Sequence, residues 1–136
     1  MNEIYSFLIL LFCFSNLLAI EQLNPSSYSL LIDSIRMDLV DKVLLNLPKK
    51  EVLNFLQMLK EMEKTKTSYN LTDAESAYLV YKWISQNIKL TDYENDYAQK
   101  VYDSGEGNEL GISKLFIQMC NYYKVIKLNL NLFQDL

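Results

Sequence analysis

The chain has 136 residues and contains no histidine, three glycines, two prolines, two cysteines and a single arginine. Without histidine there is no imidazole to serve as a general base or to ligate a metal. Of the two cysteines, Cys13 lies in a hydrophobic N-terminal stretch, so a processed chain keeps Cys120 alone and cannot close an internal disulfide. Zinc is excluded on the same ground, and no cofactor is expected. The scarcity of glycine and proline argues against many tight turns, and so against a sandwich or barrel of short strands. One arginine and a net charge of −4 leave no basic stripe to neutralise phosphates, so no nucleic-acid partner is expected.

What the chain has is apolar surface. Hydrophobic residues make up 50% of it and aromatics 12%, too much for a disordered polymer. Residues 4–20 read IYSFLILLFCFSNLLAI, the size of a signal-peptide core rather than of a full membrane span. Cleavage after Ala19 makes residues 1–19 a signal peptide and places the protein in the secretory pathway. The alternative is an uncleaved anchor, because the stretch before the apolar core carries no Lys or Arg.

Beyond a polar turn at 24–27, Leu31, Ile35, Leu39, Val43 and Leu47 recur every four residues, one face of a helix. Pro48 fits the first turn of a second helix, with Val52, Leu56, Leu59 and Met62 on its inner face. The two are read as an antiparallel hairpin over residues 20–66, followed by a polar linker at 64–69. Thr72-Asp73-Ala74-Glu75 is a capping box that opens a third helix. Its expected buried stripe is Ala74, Ala77, Tyr78, Tyr81, Ile84 and Ile88, flanked by Val80 and Trp83. A polar region at 89–108 holds a loop or short helix near 97–102, and Gly105-Glu106-Gly107 breaks the chain. A last helix carries Ile112, Leu115, Phe116, Met119, Cys120 and Tyr123 on one face. Residues 125–133 alternate as one strand would. The expected fold is mainly α, with at most one or two terminal strands.

Asn70-Leu71-Thr72 is an N-glycosylation sequon, meaningful in a secreted chain. Thr72 is needed both for the sequon and for the helix cap. The acidic positions Asp33, Asp38 and Asp41 and the run at 92–96 lack the spaced ligands and glycine of a calcium loop and read as solvated surface.

Two segments together resemble the transglutaminase-like (papain-fold) superfamily, in its branch related to kyphoscoliosis peptidase. Residues 72–88 resemble the family helix that ends Trp-Ile-x-x-Asn-Ile. Residues 101–120 resemble its nucleophile segment, Gly-x-Cys-x-Gly-aromatic-x-x-x-Phe-x-x-Leu-Cys. The likeness covers residues 68–126, and residues 67–136 are read as the helical half of that α+β domain, cut short. In the family, a thiolate at a helix N-terminus is activated by a histidine. Here Gly107 and Gly111 match the flanking glycines, but the nucleophile position is Glu109. A carboxylate suits a helix N-terminus and can cap Gly111 or Ile112, yet it cannot form a thioester. Cys120 corresponds to a later, structural cysteine of the family.

The resemblance therefore implies a secreted, catalytically inactive protein that binds an unidentified protein partner through the old substrate groove. The alternatives are a small secreted helical interaction protein with no enzyme ancestry, or an incomplete sequence of a longer transglutaminase-like protein. A half-fold would bare part of Ile112, Phe116 and Tyr123, so self-association is also expected. Membrane contact is expected only through an uncleaved leader.

Overall fold

The computed structural model describes residues 33–94 and 97–128, with side chains up to residue 120. The leader with Cys13, the turn at 24–27, Leu31, and the tail from 129 onward lie outside the described residues. As expected, the fold is mainly α. The order is α1 (Met37–Asn46), α2 (Phe55–Ser68), α3 (Asp73–Asn87), β1 (Lys89–Leu90), α4 (Ala98–Ser104), β2 (Glu106–Gly107) and α5 (Glu109–Leu128).

Within the described residues the first expected helix is not continuous: Asp33 is helical, the chain turns at 34–36, and α1 opens at Met37. Arg36 has φ −81° and ψ 85°, outside the helical well, and its N–H is donated to Glu75 Oε2 rather than back along the chain. Ile35 is buried ahead of the helix, and Val40 and Val43 are buried within it. Leu47 is held extended (φ −76°, ψ 141°), the conformation that the ring of Pro48 imposes on its predecessor.

Pro48 does not open α2. A turn follows it, closed by Val52 N–H donating to the Lys49 carbonyl at 3.0 Å, and the helix starts at Phe55. There Asn54 and Gln57 form a reciprocal capping box. Leu59 and Met62 are buried as expected, but the other two expected positions, Val52 and Leu56, lie outside. Val52 is 66% and Leu56 52% exposed, while Phe55, Met58, Leu59, Met62 and Thr65 are buried. The expected polar linker at 64–69 is instead the last turn of α2, which runs to Ser68.

Helix α3 begins at the Thr72–Glu75 capping box as expected. It is buried around more of its circumference than one stripe, with Tyr78, Leu79, Val80, Trp83 and Ile84 inside. Ala74, Ala77 and Tyr81, expected at the centre, are only half-buried. This follows from its central place. α1 packs chiefly on α3, α3 on α5, and α2 on α5 and α4. One cluster of buried side chains runs from Ile35 to Met119 and draws on every helix.

In α5, Leu115, Phe116, Ile117 and Met119 are buried and Ile112 is half-buried. Phe116, one of the three residues of which a half-fold would bare part, is 1% exposed and belongs to the shared core cluster. Residues 125–128, expected to begin a strand, continue α5 to Leu128. The strands lie elsewhere: β1 and β2 pair in parallel, Lys89 opposite Glu106 and Leu90 opposite Gly107. A parallel pair needs a crossover, and α4 supplies it. Gly105 ends α4 in the left-handed conformation (φ +75°) that glycine adopts without strain.

Candidate functional site

The position matched to a nucleophile sits where β2 turns into α5. Gly107 ends the strand, and a Cβ there would lie 3.1 and 3.3 Å from the two methyls of Val101. A glycine at 107 thus lets α4 lie close against β2. Asn108 then turns the chain into the helix. Its Oδ1 accepts from Gly111 N–H at 2.9 Å, and its carbonyl accepts from Ile112 N–H at 2.9 Å. The cap is therefore Asn108, not Glu109, because the residue before the helix, not its first residue, projects its side chain over the free N–H groups. Asn108→Ala should lower stability by about 1 kcal/mol in urea unfolding. An unchanged midpoint would mean that this cap contributes nothing.

Glu109 is exposed in the first turn of α5, where a carboxylate is favoured by the helix dipole. Facing it is the end of β1. Thr91 N–H donates to the Gly107 carbonyl at 2.9 Å, and Asn108 N–H donates to the Tyr93 carbonyl at 3.0 Å. These bonds strap the loop after β1 to the start of α5. Between them lies an open groove of about 650 Å³, lined by Leu90, Thr91, Asp92, Asn108, Glu109 and Leu110. Leu90 is 61% and Leu110 58% exposed. The resemblance motif and the groove therefore coincide at Glu109, with Gly107 and Gly111 buried behind it.

The strand register adds a second feature. Lys89 N–H donates to the Gly105 carbonyl at 2.8 Å and Thr91 N–H to that of Gly107. The N–H and C=O of Leu90, between them, therefore point away from β2, along an edge that no other described strand covers.

The lining offers two carboxylates, a hydroxyl, an amide and two leucines. Cys120 is half-buried and lies eleven residues after Glu109, roughly 16 Å along the helix axis, so its sulfur is not part of the groove. Among the described residues no group of three His, Cys, Asp or Glu side chains converges as a metal site. Asp41 instead pairs with Lys82 at 2.6 Å. No helix of the described residues is long and apolar enough to cross a membrane.

A second polar constellation sits at the start of α3. The Glu75 side chain is 0% exposed, yet it is fully engaged. Oε2 accepts from Arg36 N–H at 2.9 Å and Arg36 Nε at 2.7 Å. Oε1 accepts from Arg36 Nη2 at 2.7 Å and from Thr72 N–H at 3.0 Å. The Arg36 guanidinium, with the backbone N–H groups of Thr72 and Arg36, holds the Glu75 carboxyl at about 2, below its ordinary 4.5, against the opposing effect of burial. Arg36 Nη2 also donates to the Asn70 carbonyl at 3.1 Å. Asn70, the sequon residue, is exposed, with φ +50°.

Sequence reasoning identified Glu75 as a cap and missed its partner. The chain's single arginine was the available signal, since a bidentate fork is what a buried carboxylate best accepts. It also missed Asn108, although an Asn just ahead of a helical repeat is a capping signature, and Leu90, whose edge position depends on a pairing seventeen residues away. Neither protein-family models, curated proteins nor solved structures match the chain.

Proposed function

We propose that the chain is a secreted, catalytically inactive transglutaminase-like protein that binds an extended polypeptide segment in the groove at the start of α5. The observation that carries the binding reading is the open main-chain edge at Leu90 beside two exposed leucines, Leu90 and Leu110. An added strand would gain main-chain bonds from the Leu90 N–H and C=O and cover the leucines with alternate side chains, the mode of β-augmentation. Asp92 and Glu109 favour a Lys or Arg in that segment. Acyl transfer needs a sulfur or hydroxyl nucleophile with a base beside it; Glu109 occupies the nucleophile's place and there is no imidazole. One observation favours the alternative of a helical interaction protein of other ancestry: α5 stays helical through Leu128, where the resemblance leads to a strand.

The test is selection of nine-residue peptides from a random display library on the full chain, followed by titration of the enriched peptides. Peptides alternating apolar residues with Lys or Arg should emerge. Leu110→Asp, or Leu90→Pro, which removes the edge N–H, should weaken them at least about tenfold, while Leu45→Asp on α1 leaves them unchanged. Amine incorporation into glutamine substrates should stay at background before and after alkylation of Cys120. Peptides insensitive to the Leu90 and Leu110 changes, or a rate abolished by Glu109→Ala or by alkylation, would overturn the reading.

A further inference from the structure

Asn70-Leu71-Thr72 is the one motif that the groove does not absorb, and the fold treats its residues unequally. The Asn70 side chain is exposed, so a glycan attached there has room in the finished protein. The main chain around it is closed. Asn70 N–H donates to the Thr67 carbonyl at 3.2 Å and Leu71 N–H to that of Lys66 at 3.0 Å. Arg36 Nη2 grips the Asn70 carbonyl, and Leu71 is buried. Thr72 is committed as well: its Oγ1 accepts from Glu75 N–H at 3.1 Å, and its N–H donates to Glu75 Oε1.

Transfer of an oligosaccharide to a sequon needs an acceptor segment loose enough to be drawn into the transferase, with the hydroxyl two residues on free to be recognised. The folded chain tolerates the product but withholds the substrate. We infer that Asn70 is an N-glycan acceptor whose window closes on folding, when Arg36 docks on Glu75 and Thr72 becomes a helix cap. In the transfer, the Asn70 amide nitrogen forms a bond to C1 of a lipid-pyrophosphate-linked oligosaccharide. The bond from C1 to the pyrophosphate oxygen breaks, the lipid pyrophosphate leaves with the electron pair, and the amide proton passes to solvent. Occupancy then reports a race between transfer and folding. The inference rests on the proposed secretory route, since the donor is found there.

Translation of the full chain in microsomes tests it, with its own leader or with a strong substituted leader. With the substituted leader, wild type synthesised during active transfer should gain one glycosidase-sensitive mass shift, and Asn70→Gln none. Wild type folded while a reversible transferase inhibitor is present, then released from it, should stay unmodified. Arg36→Met treated in the same way, and shown to be folded by protease resistance, should be modified several-fold more. Folded wild type modified as fast as the nascent chain would overturn the inference, as would no modification with the substituted leader. Modification with the substituted leader but not with the native one would uphold the acceptor inference and remove the secretory reading.

Discussion

Replacing Trp83 by alanine is expected to cost about 4 kcal/mol, a large share of the roughly 5–15 kcal/mol that holds a small domain together. Trp83 is 1% exposed at the centre of α3. Its ring stacks on Tyr102 with centroids 5.9 Å apart and planes 7° from parallel, an arrangement that adds to simple burial. Its Nε1–H donates to the Pro48 carbonyl at 2.9 Å and so ties the α1–α2 connection to α3. Tyr102 in turn donates its hydroxyl to the Leu53 carbonyl at 2.7 Å. Burial, with the Asp103 and Glu51 carboxylates nearby, pushes that phenol up to about 12, so it stays a donor. Alanine would leave a cavity, an orphaned carbonyl and a tyrosine without its stacking partner. Because Trp83 is the sole tryptophan, far-UV circular dichroism in urea, not fluorescence, is the measurement. A midpoint within about 1 kcal/mol of wild type would show that the core does not centre on this ring. Trp83→Phe, which keeps the stack but loses the N–H, should retain more than half of the lost stability.

The second large effect is a dependence on acid. The Glu75 carboxyl titrates at about 2 in the folded chain against 4.5 ordinarily. A carboxyl with a lowered folded value stabilises the fold above its unfolded value, and that contribution disappears as pH falls from 4.5 towards 2. The shift alone would correspond to about 3 kcal/mol. Because the Arg36 side chain is 54% exposed and therefore screened, roughly 2 kcal/mol is expected. Glu75→Gln should remove about that much at neutral pH and flatten the pH dependence of stability over the same window. Equal slopes for wild type and Glu75→Gln between pH 5 and pH 2 would show that the clamp does not contribute. The Lys66–Asp73 and Lys82–Asp41 pairs each have an exposed carboxylate and should add little to that slope.

Local signals were legible where one segment decides its own conformation. The Thr72–Glu75 cap, the break at Gly105 and the apolar face of α5 around Leu115 and Met119 all depend on residues within a turn or two. The start of α2 was misread because Pro48 suggested a helix start that Asn54 and Gln57 instead provide. With the start at Phe55, Val52 lies ahead of the helix and Leu56 falls on its outer side, while Leu59 and Met62 stay buried as expected. The burial of α3 exceeds one stripe because both α1 and α5 pack on it, a fact no single-helix period contains. At the groove, Glu109 and its flanking glycines were singled out only through the family resemblance, not by any periodicity or spacing of their own. The wall opposite, Leu90 to Asp92, could not be singled out, because a parallel two-residue pairing carries no periodic signal. Arg36 reaches Glu75 across thirty-nine positions, beyond any local rule.

The binding reading turns most directly on the main-chain edge at Leu90, and amide hydrogen exchange followed by NMR reads that edge residue by residue. In the free chain the Lys89 and Thr91 amides, bonded to Gly105 and Gly107, should exchange slowly and the Leu90 amide fast. Saturation with a selected peptide should slow Leu90 at least about tenfold and shift Asn108 to Leu110. A Leu90 amide already protected in the free chain, or one whose exchange a saturating peptide leaves unchanged, would contradict an added strand in this groove.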